Sequence, residues 1–142
     1  DKRTSGVADE YSSFVAVDDV HLDGKLTLGE NTADNGGLRI ALMALRKAMA
    51  ADAARKAGAK TKKAGAKMKD GFTPEQRFFL SFGQIWCQNS TPESSRLLAK
   101  TDSHSPGEYR VNGTLQNSED FAKAFGCKAG QKMVSANACR VW

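Results

Sequence analysis

The stretch Leu26-Thr27-Leu28-Gly29-Glu30-Asn31-Thr32-Ala33-Asp34-Asn35-Gly36-Gly37 decides how this chain is read. Behind it Leu38, Ala41, Leu42, Leu45, Ala48 and Met49 recur at helical spacing. A long helix starting near Leu28 sets Glu30 and Asp34 four residues apart on one face. That layout suits one carboxylate that binds a metal and a second that steers a neighbouring ligand. Two carboxylates so spaced also commonly mark an exposed helix face, because carboxylates are seldom buried. Gly36-Gly37 costs about 1 kcal/mol per glycine relative to alanine, which fits a place where another backbone or a bulky group comes close.

Working outward, residues 1–20 are weakly patterned, with Tyr11, Phe14, Val15 and Val17 suited to a short extended or irregular segment. Asp23-Gly24 reads as a turn. After Met49 the helix is expected to fray into the Ala/Lys/Gly-rich tract 50–71, read as a mobile loop. Order returns at Thr73-Pro74-Glu75-Gln76, where an N-cap, a first-turn proline and a capping box coincide. Phe78, Phe79, Leu80, Phe82, Ile85 and Trp86 cover more than one face, which predicts a deeply buried helix. Thr91-Pro92 repeats the start, with Leu97 and Leu98 as the expected buried face. Ser118 caps a short helix carrying Phe121, Ala124 and Phe125, and Gly126 stops it. Residues 128–142 read as irregular, with Trp142 docked on the core. Strand patterns are few, so the chain reads as mainly α.

The 142 residues suit one domain, and 40% hydrophobic content can build a core. Of the 21 basic and 16 acidic residues, seven basic and two acidic fall in 51–71, which accounts for the whole net charge of +5. The basicity is therefore local and does not form the basic face that a nucleic-acid reader needs. A solvated linker is the plain reading of 51–71, with contact to an acidic partner or membrane surface as the alternative. The longest apolar run, 40–45, is far too short to span a bilayer. Asp1-Lys2-Arg3 has no apolar stretch behind it, so no signal peptide is expected and the chain reads as a mature piece or internal fragment. Cys87, Cys127 and Cys139 are odd in number: either buried free thiols, or cross-links to another segment in an oxidising compartment.

A second cluster runs from Thr101-Asp102-Ser103-His104 through Ser105-Pro106-Gly107 to Arg110-Val111-Asn112-Gly113. A Ser-Pro-Gly turn can aim His104 and Arg110 at one point. A lone histidine is more often structural or exposed, but a His and an Arg converging on a carbonyl oxygen would stabilise a developing oxyanion. His21 has no such company and reads as a surface or loop residue. With only two histidines, the chain contains no His-Glu-x-x-His motif.

Gly29-Glu30-Asn31-Thr32-Ala33-Asp34, the block from Asp102 to Gly113, and the closing Cys139-Arg140-Val141-Trp142 together resemble the C-terminal part of the neprilysin family of zinc metallopeptidases. The resemblance runs from about residue 11 to the end, interrupted by the Lys/Ala tract. It implies a gluzincin-like helical catalytic domain, incomplete on its own, with residues 1–142 as its C-terminal portion. It implies that Glu30 is the third Zn²⁺ ligand and that Asp34 orients a zinc-binding histidine. It further implies that His104 stabilises the oxyanion and that Arg110 binds a substrate carbonyl. The remaining ligands and the general base would come from an N-terminal chain carrying the His-Glu-x-x-His helix, and the substrates would be peptides. The cysteines match ones that bond to earlier segments in extracellular members, so an extracytoplasmic location is implied. The usual partner of Cys139 is missing near the start, and Gly6 or a neighbour stands in its place. The rival expectation is a non-catalytic helical module that keeps the fold and binds peptides or a partner.

Overall fold

A computed structural model describes residues 2–58 and 68–140. Six helices dominate it: α1 (Lys2–Ser12), α2 (Leu28–Gly58), α3 (Pro74–Ile85), α4 (Pro92–Thr101), α5 (Gly107–Gln116) and α6 (Glu119–Phe125). A small antiparallel hairpin, β1 (Val15–Val17) with β2 (Val20–His21), follows α1. The mainly α reading therefore holds.

Two apolar clusters hold these elements together. Val7, Tyr11, Leu22 and Ala99 form one beneath the hairpin, with Phe14 and Tyr109 stacked beside it at 4.6 Å between ring centroids. Leu38, Leu42, Phe79 and Leu115 form the other, where α2 and α5 meet α3 and α6. The second is rich in aromatic edges: Phe79 meets Phe121 edge-on at 5.5 Å, an arrangement that aromatic quadrupoles favour. Between the two clusters lies the contact of α1 with α5, possible only because residue 113 is glycine. A Cβ there would stand 2.6 Å from Tyr11 Oη.

Several local readings are borne out. Thr73 Oγ1 accepts from Gln76 N at 3.2 Å while Gln76 Oε1 accepts from Thr73 N at 2.9 Å, a complete capping box. Thr91 and Ser118 cap α4 and α6 through their hydroxyls, and Gly126 ends α6 at φ 67°. Asp23 Oδ1 accepts from the backbone N–H groups of Lys25 and Leu26, making the expected turn. His21 is exposed, in β2, with Nδ1 3.1 Å from Ser12 O. Residues 127–140 hold no helix or strand.

Other expectations need correction. Residues 2–12 are helical, not irregular: Val7 and Tyr11, one turn apart, are both fully buried, and that packing overrides weak propensity. Helix α2 does not fray at Ala50 but runs to Gly58, carried by alanine-rich propensity and by ion pairs from Asp52 to Arg55 and Lys56. The expected mobile loop falls largely on 59–67 and the docking of Trp142 on 141–142, both outside the described residues. Residues 107–116 form α5, where a turn alone had been expected. Helix α3 buries only Phe79 among its residues, while Leu80 and Ile85 are exposed. Helix α4 buries Ala99, and Leu97 and Leu98 face outward, because the small side chain meets the hairpin. An apolar groove of about 440 Å³ runs between α2 and α3, lined by Leu38, Ala41, Phe78, Phe82 and Ile85, with Asp34 at its edge.

Candidate active site

The first turns of α2 and α5, and the loop before α5, bring the predicted residues together. Glu30 and Asp34 share one face of α2, as their spacing requires. Arg110, in the first turn of α5, is almost wholly buried and reaches both. Its Nε donates to Asp34 Oδ2 at 2.6 Å and its Nη2 to Asp34 Oδ1 at 2.8 Å, a two-pronged charge-assisted pair. The same Nη2 lies 3.3 Å from Glu30 Oε2. His104 Nε2 approaches that same oxygen at 3.6 Å. His104 and Arg110 therefore converge on Glu30 Oε2, although the start of α5 aims Arg110 while His104 sits in the loop before it.

Two further residues shape the site and were not singled out from the sequence. Asp102 Oδ1 lies 2.8 Å from His104 Nδ1 and accepts from the His104 backbone N–H at 2.9 Å. Those contacts, the backbone one first, hold the Asp102 carboxyl below its usual range. A carboxylate at Nδ1 favours the proton there and turns Nε2 toward Glu30. The Asp-x-His spacing is a signal that could have found it. Trp86 lies with its ring 3.8 Å from Arg110 Cζ, a cation–π contact. No sequence pattern links those two, because Trp86 caps the end of α3 and Arg110 lies in α5. The Trp86 Nε1 and Thr32 Oγ1 atoms are buried without a hydrogen-bond partner among the described residues.

Glycine at 107 makes this arrangement possible. A Cβ there would stand 2.3 Å from Trp86 O, so only glycine lets α5 start against the end of α3. The ion pair with Asp34 is also the largest influence on Arg110, raising its already high pKa.

Relatives complete the assignment. The chain matches peptidase family M13 over residues 1–141. It belongs to that family. An endothelin-converting enzyme homolog of Locusta migratoria is 40% identical over 141 residues, which is 99% of this chain and 18% of that protein. Human endothelin-converting enzyme 1 is 39% identical over 99% of the chain and 17% of its own length. Neprilysin-1 of Caenorhabditis elegans is 38% identical, again over 99% and 18%. The zinc metalloprotease Zmp1 of Mycobacterium tuberculosis, in its open state, superposes with a TM-score of 0.84 at 30% identity, over 99% of this chain and 21% of that one. The M13 chain described here thus spans about a fifth of the length of the proteins it matches, and its fold is that of part of an M13 peptidase.

The donors present fit one zinc ligand. Glu30 offers a partly exposed carboxylate, a normal zinc donor, whereas both oxygens of Asp34 are committed to Arg110. Among the described residues no group of three His, Cys, Asp or Glu side chains could hold a metal. Nor is any helix among them long and apolar enough to cross a membrane.

Proposed function

We propose that these residues form the C-terminal share of the catalytic centre of a zinc-dependent endopeptidase. The convergence of His104 and Arg110 on one oxygen of Glu30, beside a fully paired Asp34, carries the reading. Glu30 is the zinc ligand contributed from here. Two more ligands and a general base come from the portion that M13 relatives have and these 142 residues lack, bearing a His-Glu-x-x-His helix. Zinc, when bound, polarises the scissile carbonyl and makes a water acidic.

The roles of this chain's own groups follow from their contacts. Arg110 commits Nε and Nη2 to the acids of α2, and its Nη1, unused among the described contacts, donates to a peptide carbonyl. Trp86 holds the guanidinium plane. Asp102 keeps the Nδ1 proton of His104, so that Nε2, when protonated, donates to the oxygen that becomes negative in the transition state. Asp34 acts through others: it positions Arg110, and its place at the edge of the α2–α3 groove suits contact with a zinc-binding histidine from the absent portion. Substrates are peptides. The location is extracytoplasmic, in line with the match of Cys87 and Cys127, free thiols here, to cysteines that pair with earlier segments in extracellular members of the family.

Zinc analysis and peptide hydrolysis by the full-length protein test this. About one zinc per molecule is expected, since such a site holds a single ion. Glu30→Gln should lose both metal and activity. Full zinc and full activity in Glu30→Gln would overturn the ligand assignment, and a metal-free, inactive wild type would leave a non-catalytic helical peptide-binding module.

A further inference from the structure

Next to the two site residues runs a buried chain of hydrogen bonds that the roles above do not use. Asn31, directly after Glu30, is completely buried. Its Nδ2 donates to Thr27 Oγ1 at 2.9 Å, and its Oδ1 accepts from Ser105 Oγ at 2.8 Å. Thr27 Oγ1 itself donates to Asp23 O at 3.0 Å. The order of donors is thereby forced. With its one hydrogen spent on Asp23, the Thr27 hydroxyl can only accept. Asn31 must then turn its nitrogen to Thr27 and its oxygen to Ser105, whose hydroxyl must donate. Thr27 and Ser105 are nearly as buried, at 2% and 4% exposure, so the bonds are shielded from bulk water.

Position gives this chain its meaning. Ser105 directly follows His104, in the loop between α4 and α5. The bond from Asp102 fixes His104 within that loop but not relative to α2. The Arg110–Asp34 pair ties α5 to α2, but only five residues beyond Ser105. The Asn31–Ser105 bond is the buried link at the loop itself, joining the neighbour of Glu30 to the neighbour of His104.

We propose that Asn31 is a positioning residue: through Ser105 it latches the His104 loop to α2 and sets the separation of His104 Nε2 from Glu30. The inference rests on the reading of His104 and Glu30 as members of one peptidase site. Releasing the latch lets the imidazole drift. A displacement of about 1 Å at such a site can cost on the order of 100-fold in rate.

The test uses the full-length enzyme and a fluorogenic peptide that the wild type hydrolyses. Ser105→Ala removes a single oxygen from the loop side, and Asn31→Ala removes the latch from α2. Should the second fail to fold, the first suffices. Ser105→Ala is expected to lower kcat about 10- to 100-fold, with zinc content and KM within about twofold of wild type. In a His104→Ala background the same substitution should leave kcat unchanged, because there is no imidazole left to position. A merely structural role would lower kcat by the same factor in both backgrounds, and that result overturns the inference. So does an unchanged kcat in Ser105→Ala from an active wild type, or loss of zinc from it. A wild type without zinc or peptidase activity defeats the site reading itself, and the latch with it.

Discussion

Arg110 and Asp34 form a closed fork, with two hydrogen bonds of 2.6 and 2.8 Å and both side chains about nine-tenths buried. Removing Arg110 leaves a buried carboxylate without its partner, and removing Asp34 leaves the guanidinium only the longer 3.3 Å contact with Glu30. Asp34→Ala is therefore expected to destabilise the protein by about 3–5 kcal/mol, read by denaturant unfolding. Arg110→Lys keeps the charge but loses the fork and the stacking on Trp86, so under the proposed function it should lower peptidase activity. A paired apolar replacement of both residues should recover most of the stability and none of the peptidase activity.

Gly6 faces Cys139. A Cβ at residue 6 would lie 3.0 Å from Cys139 Sγ, which is about the distance that an S–S bond of roughly 2.04 Å sets between one sulfur and the other Cβ. Gly6→Cys should close a disulfide in air, seen as the loss of two hydrogens by intact mass. The closure should stabilise by about 2–4 kcal/mol, and reductant should remove the gain. Persistence of both thiols under oxidant would refute the pairing.

Glu10 carries a pH dependence of definite sign. Burial raises its pKa, against the hydrogen bonds from Asn117 and Gln116. Because the folded pKa lies above the unfolded one, the folded state binds this proton more tightly. The contribution is full below the ordinary glutamate range and is lost as pH rises through the raised folded value. The advantage of wild type over Glu10→Ala in thermal midpoint should accordingly be largest below the ordinary glutamate range and shrink as pH rises above it.

Gly113 permits the crossing of α1 over α5. A Cβ there would stand 2.6 Å from Tyr11 Oη and 2.7 Å from Tyr11 Cζ. Gly113→Ala should cost about 1–3 kcal/mol by overpacking. Tyr11→Phe should not rescue it, since the ring carbon clashes nearly as hard as the oxygen. Calorimetry of the single and double variants checks this.

Features encoded within a few residues were legible from sequence. The capping box at Thr73, the Ser118 cap, the Gly126 stop and the Glu30/Asp34 spacing each follow from one turn of backbone. Long-range packing was not. Helix α1 is written in weak helix formers, and what orders it is the approach of α5 and of Gly24, whose Cβ would overlap Ala8 O at 2.0 Å. Gly107 looked like a turn residue, yet it is there because Trp86 O crowds it. The apolar patterns of α3 and α4 marked hydrophobic faces without saying whether these 142 residues could cover them. In the candidate site, Arg110 and His104 were legible as a pair, whereas Trp86 became visible only once α3 and α5 were side by side.

The apolar slot between α2 and α3, with Ile85 71% exposed and Ile40 and Met43 each 59% exposed on the helices around it, sets practical terms for handling. Grease of this extent, left open to water, drives self-association. Overproduced without the rest of an M13 peptidase, these residues should scatter light increasingly with concentration and partition with chaperones, and co-production with the absent portion should keep them dispersed.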